Sequence, residues 1–144
     1  MPSEPAPAWL LATSQPLLRE LVPVAQAMLA QHAFRPVLIP ATPQMRAVCQ
    51  ETAPAGTQIL DPPWPSEPQP GRLAAGLDRR LPLPLLAWRW SRRRLGALLA
   101  WAREQVRLDP PAVVLAGCDR ILAGLPFLGA AKAAGRPILL APYA

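Results

Sequence analysis

"PPAVVLAGCDRILAGLPFLGAAKAAGRPILLAPYA", residues 110–144, reads as strand, helix, strand. The run "AVVLAGC" has no polar alternation, the pattern of a strand whose two faces are both covered. "DRILAGLPFLGAAKAAG" has helical length and stops at Gly135, the residue type that most readily turns left-handed past a helix end. "RPILLAPYA" reads as a further buried strand. Two strands joined through a helix form a right-handed crossover, the unit of a parallel sheet.

The same alternation continues towards the N-terminus. Residues 1–7 are a Pro-rich arm, and residues 8–144 read as one domain. "AWLLAT" is the first strand. "SQPLLRELVPVAQAMLAQH" has helical spacing, with Leu21, Val24, Ala25 and Met28 on one face and Leu18 and Leu29 at its edges. Pro23 predicts that the regular helix starts near that residue, after an irregular first turn. "RPVLIPA" is a second strand, "PQMRAVCQETA" a short helix and "TQILD" a third strand. A Pro- and Arg-rich stretch over 62–87 follows as a loop or insertion, read as short turns broken by Pro82 and Pro84. "SRRRLGALLAWAREQVRLD" is an amphipathic helix with Leu95, Leu98, Leu99, Ala102 and Val106 on its apolar face. The expectation is an α/β, Rossmann-like, doubly wound parallel sheet of about five strands with helices on both faces.

The composition permits such a core. The chain has 144 residues, suiting one domain, and is 51% hydrophobic. Its 21 prolines cluster in the arm and in "DPPWPSEPQPG", where they mark loops. Net charge is +6, and Lys132 is the only lysine. From Arg72 to Arg107 nine arginines face only Asp78 and Glu104, so the basicity belongs to that segment. Cys49 and Cys118 match no zinc or redox spacing and read as free thiols of a cytoplasmic protein. No metal site is expected. No apolar run reaches the roughly 18 residues of a membrane span.

In doubly wound sheets, ligands bind beyond the carboxyl ends of the strands, where strand order reverses. If strands one and four flank that point, Thr13, Ser14 and Gln15 line one side of the crevice. Gly117, Cys118, Asp119 and Arg120 line the other, with Tyr143 at the sheet end. "ATSQP" lacks the glycines of a dinucleotide-binding turn, and no phosphate-binding P-loop is present. Ser14 has no nucleophile elbow, and His32, the sole histidine, falls at the far end of a helix, so a Ser-His-Asp triad has no support. A phospho-receiver site is rejected for want of acids after strand one and a lysine after strand five. Asp119 opens a helix, and two readings stand open: a capping carboxylate or a ligand group. Thr13 and Ser14 likewise read as turn and capping hydroxyls or as substrate contacts.

Two stretches resemble one family. "LLATSQPLLRELVPVAQAMLAQHAFRPVLIPA" is similar to the opening of GT-B glycosyltransferases in Leu21, Pro23, Val24, Ala25, Ala27 and Met28. The closing stretch resembles a later unit of the same domain in Pro111, Val113, Val114, Asp119, Ala131, Gly135, Pro137 and Pro142. The resemblance implies an N-terminal, acceptor-binding half whose partner is a C-terminal donor-binding half or subunit. No cofactor is then expected in this chain, and the nucleotide-sugar donor belongs to the partner. It also implies substrate contacts from Thr13, Ser14, Gln15, Cys118, Arg120 and Tyr143. Many family members carry a Gly-His pair after strand one, the histidine acting as base. Pro16 and Leu17 stand there instead, which leaves Asp119 as the next candidate base. The acceptor expected is of the lipid-linked kind, and the implied enzyme is truncated or split, inactive alone. The alternative is a non-catalytic Rossmann-like binding or membrane-recruitment module.

Trp88, Trp90 and Trp101 lie among Arg92, Arg93 and Arg94. Rings with arginines favour the headgroup layer of an anionic membrane, which would place the protein peripherally at the inner face. The competing reading is a core helix with a solvated basic face. Nucleic acid is not expected as a partner, although tryptophan stacking beside arginine can hold a single strand.

Overall fold

The computed structural model describes residues 3–64, 83–117 and 121–141, with side chains from Arg92 and from Gly124 in the last two segments. The elements in chain order are β1 (Pro7–Ala12), α1 (Gln15–Gln31), β2 (Arg35–Pro40), α2 (Pro43–Thr52), β3 (Gln58–Ile59), α3 (Leu83–Leu108), β4 (Val113–Gly117), α4 (Ile121–Ala133) and β5 (Ile138–Ala141). The strands form one sheet in the order β3-β2-β1-β4-β5, every pair parallel. The fold is therefore the expected Rossmann-like α/β sheet. Its order reverses between β1 and β4, the neighbours the sequence reading placed at the switch point.

Strand parity divides the core. Trp9 and Leu11 of β1 point to one face with Val37, Ile39, Val114 and Ala116, where Ala102 and Val106 of α3 and Phe127, Ala130 and Ala131 of α4 cover them. Leu10, Ala12 and Leu38 point to the other face, under Leu17, Leu18, Leu21 and Ala25 of α1 and Met45 and Cys49 of α2. β1 is buried along its whole length, which explains its lack of polar alternation.

Four local expectations are corrected. α1 begins at Gln15, eight residues before Pro23, and runs straight through that proline. Ser14 is its N-cap in extended backbone, with Oγ accepting the Leu17 N–H at 3.4 Å, and a proline occupies the first turn. An internal proline costs about 3 kcal/mol. Burial of Leu17, Leu18 and Leu21, worth about 1.5–3 kcal/mol each, offsets that. Pro23 and Arg19, whose carbonyl loses its intrahelical partner, are both exposed, so water can reach the gap. Second, α3 starts at Leu83, because a proline at position 84 falls in the first turn, where it needs no N–H. On its apolar face Leu98, Ala102 and Val106 are buried, but Leu95 is 42% exposed: the cover begins a turn later. Third, β3 is only two residues long, a short edge strand. Fourth, β5 is an exposed edge rather than a buried strand, with Leu139 58% and Leu140 48% exposed.

α4 ends as its sequence predicts. Gly135 has φ +68°, its N–H bonds the Lys132 carbonyl at 3.0 Å, and the Arg136 N–H bonds that of Ala131 at 2.9 Å. This pair of bonds is the Schellman turn. His32 caps α1 in left-handed backbone and is exposed, the helix-end position expected of it.

Cys49 is fully buried between α1, α2 and the sheet, and burial pushes its thiol up to about 11. A raised acid pKa means that the native state keeps its proton while the unfolded thiol ionises. Stability is therefore whole below about pH 9 and falls as pH rises from 9 to 11. The stability difference between wild type and Cys49→Ala should shrink by about 1–3 kcal/mol across that window, measured by urea unfolding at each pH.

Candidate functional site

The carboxyl ends of β1 and β2 open into the starts of α1 and α2. Chain continuity therefore sets the β1–α1 and β2–α2 loops side by side, and the Ala41 N–H bonds the Ala12 carbonyl at 2.9 Å between them. Between the loops lies a cup of about 350 Å³ lined by Thr13, Ser14, Gln15, Pro16, Thr42, Gln44, Met45 and Val48. Thr13 and Ser14 are buried, 2% and 8% exposed. The Ser14 hydroxyl is engaged in capping α1. Thr42 is the N-cap residue of α2, yet its side chain makes no capping bond, so its hydroxyl is not held by the helix.

A second hollow, about 180 Å³, continues between α1 and α2 and is lined by Gln15, Leu18, Arg19, Val22, Val48 and Thr52. Gln15 and Val48 belong to both. The combined site is a polar cup leading into a largely apolar furrow. Among the described residues the cup has hydroxyls and amides but no charged lining side chain. It suits a neutral ligand group with hydroxyls, held by hydrogen bonds rather than by an ion pair. Two helices begin there, and their N-termini place partial positive charge beside it.

Of the sequence-predicted residues, the structure brings Thr13, Ser14 and Gln15 together. Cys118, Asp119, Arg120 and Tyr143 lie outside the described residues. Continued along the strands, the β1–β4 register sets Gly117, a buried strand end, beside Ala12. Thr42 and Gln44 were missed. They follow β2 in "IPATPQ", a strand end and a helix start next to a proline, which was the available signal.

In the basic segment, Arg92 and Arg93 are exposed, whereas Arg94 lies over the Trp64 ring at 5.6 Å from its centroid. Trp101 is half-buried and meets Phe127 edge to face, with centroids 6.1 Å apart and an 88° interplanar angle. The side chains of Trp88 and Trp90 lie outside the described residues. Among the described residues no helix is long and apolar enough to cross a membrane, and no three His, Cys, Asp or Glu side chains group as a metal site would need.

No protein-family model matches the chain, and no curated protein matches it at a significant level. Among solved structures, it is similar to Phytolacca americana UGT2, whose structure was solved in complex with UDP-2-fluoro-glucose and pterostilbene. The TM-score is 0.60 at 16% identity; the similarity covers 99% of this chain and 31% of that one. At that identity the likeness shows the fold: the chain has the glycosyltransferase-like α/β fold of a unit about a third the length of UGT2.

Proposed function

We propose that this chain is the acceptor-binding half of a GT-B-type glycosyltransferase, which transfers sugar only together with a donor-binding half. The cup-and-furrow site carries the reading: a hydroxyl seated among Thr13, Thr42 and Gln44, with an apolar body along Leu18 and Val22, is the shape of a hydroxylated acceptor. The likeness in fold to UGT2 supports it, as do the exposed leucines of β5, an apolar edge that a partner could cover.

In the proposed reaction the acceptor hydroxyl oxygen attacks the anomeric carbon of a nucleotide sugar held by the partner. The bond from that carbon to the diphosphate oxygen breaks, and the nucleoside diphosphate leaves with the bonding pair. The hydroxyl proton passes to Asp119, the remaining candidate base where Pro16 and Leu17 replace a Gly-His pair. The starts of α1 and α2 favour the negative charge that develops on the acceptor oxygen. In the reconstituted pair, Asp119→Asn should lower turnover about a hundredfold or more with folding intact. Unchanged turnover would remove Asp119 from the mechanism.

A second reading, a non-catalytic membrane-recruitment module, is favoured by the exposed arginines of α3: Arg92, Arg93, Arg103 and Arg107. It predicts flotation with anionic liposomes, no shift of a single-stranded oligonucleotide and no glycosyl transfer with any donor half.

A further inference from the structure

At the opposite end of the sheet, the last turns of α3 and α4 lead into the amino ends of β4 and β5. An open groove of about 420 Å³ lies there, lined by Val106, Pro110, Ala130, Ala133 and Ala134 and by three arginines, Arg103, Arg107 and Arg136. We propose that this groove binds a phosphate group carried on an apolar body, either a free phosphorylated metabolite or the headgroup of an anionic lipid.

Arg136 carries the argument. It is the first residue past the left-handed Gly135, and the Schellman bonds fix its backbone at the groove wall. Its Nε is buried and has no hydrogen-bond partner. Nε is covered by protein, but no ion pair holds this guanidinium among the described residues, so an acceptor in the groove that meets its terminal donors is favoured. Arg103 is exposed on the opposite wall and has no carboxylate partner among the described residues. Arg107 is held by Glu104, through 2.6 and 2.9 Å bonds. Asp109, the nearest other acid in sequence, is engaged by Arg35 at 2.6 Å. The groove thus keeps an excess of two positive charges. Phosphate suits the forked geometry of guanidinium donors, and the alanine, valine and proline floor suits the apolar body. The groove lies at the far end of the sheet from the cup, so this proposal stands or falls apart from the glycosyl-transfer reading.

The test uses the whole chain, labelled with ¹⁵N, and follows the Arg136 Nε–H resonance. Inorganic phosphate should shift it saturably, while chloride at equal ionic strength should not. Arg103→Gln should weaken that binding about tenfold, and Arg136→Gln should weaken flotation on phosphatidylglycerol vesicles, with phosphatidylcholine vesicles as the blank. A phosphate shift without flotation assigns a free metabolite, and Arg136-dependent flotation without a shift assigns a lipid headgroup. If Arg136→Gln fails to fold, Arg103→Gln, on an exposed helix face, decides both arms. No saturable shift together with flotation indifferent to the variants would overturn the proposal, as would phosphate binding that Arg103→Gln leaves unchanged.

Discussion

Phe127→Ala should lower the free energy of unfolding by about 3–5 kcal/mol, the range for emptying an aromatic site in a packed core. Phe127 is fully buried in α4 beneath the sheet and meets Trp101 of α3 edge to face. The substitution thus removes both buried area and one of the contacts between the two helices on that face. Neighbours fixed to a sheet cannot collapse far into the space, so the cavity cost adds to the transfer cost. For a domain of this length the melting temperature should fall by about 10 °C or more. Leu125→Ala, two residues away on the same helix but 45% exposed, is the control and should cost about 1 kcal/mol or less. Scanning calorimetry of both variants checks this, and equal small losses would mean that α4 does not cover β1 and β4 as described.

Gln44→Trp should lower acceptor binding at least tenfold and leave stability within about 1 kcal/mol of wild type. Gln44 is exposed in the first turn of α2 and lines the cup without entering the core. An indole there takes a large share of a cup of about 350 Å³ and displaces whatever hydroxyl group sits between Thr13 and Thr42. Met45 and Cys49 are the buried side chains of α2, and Gln44 is not among them. Loss of binding would therefore report occupancy of the cup and not unfolding, which a melting curve on the same sample verifies. Unaltered binding would place the acceptor elsewhere.

The alternation of apolar strands and helices was legible because β1, β2 and β4 are buried runs and the helices between them carry one apolar face each. Gly135 announced the end of α4 because only a residue free of a Cβ takes φ +68° at little cost. Pro23 misled for the converse reason: local propensity disfavours it inside α1, but the three leucines packed on the sheet outweigh that preference. β5 reads as buried because its composition is apolar; a sequence does not show that nothing covers an edge. Half of the candidate site was visible as the polar loop after β1. Thr42 and Gln44 were not, because their place beside Thr13 follows from the parallel pairing of β1 with β2, a tertiary relation.

The most direct test of the central claim is sugar transfer in a mixture of this chain with a donor-binding half, using a radiolabelled nucleotide sugar and a hydroxylated apolar acceptor. The account predicts product only when both halves are present, with the rate lowered at least tenfold by Gln44→Trp in this chain. Transfer that is equally fast without this chain, or none with any donor half while the chain stays folded, would contradict it.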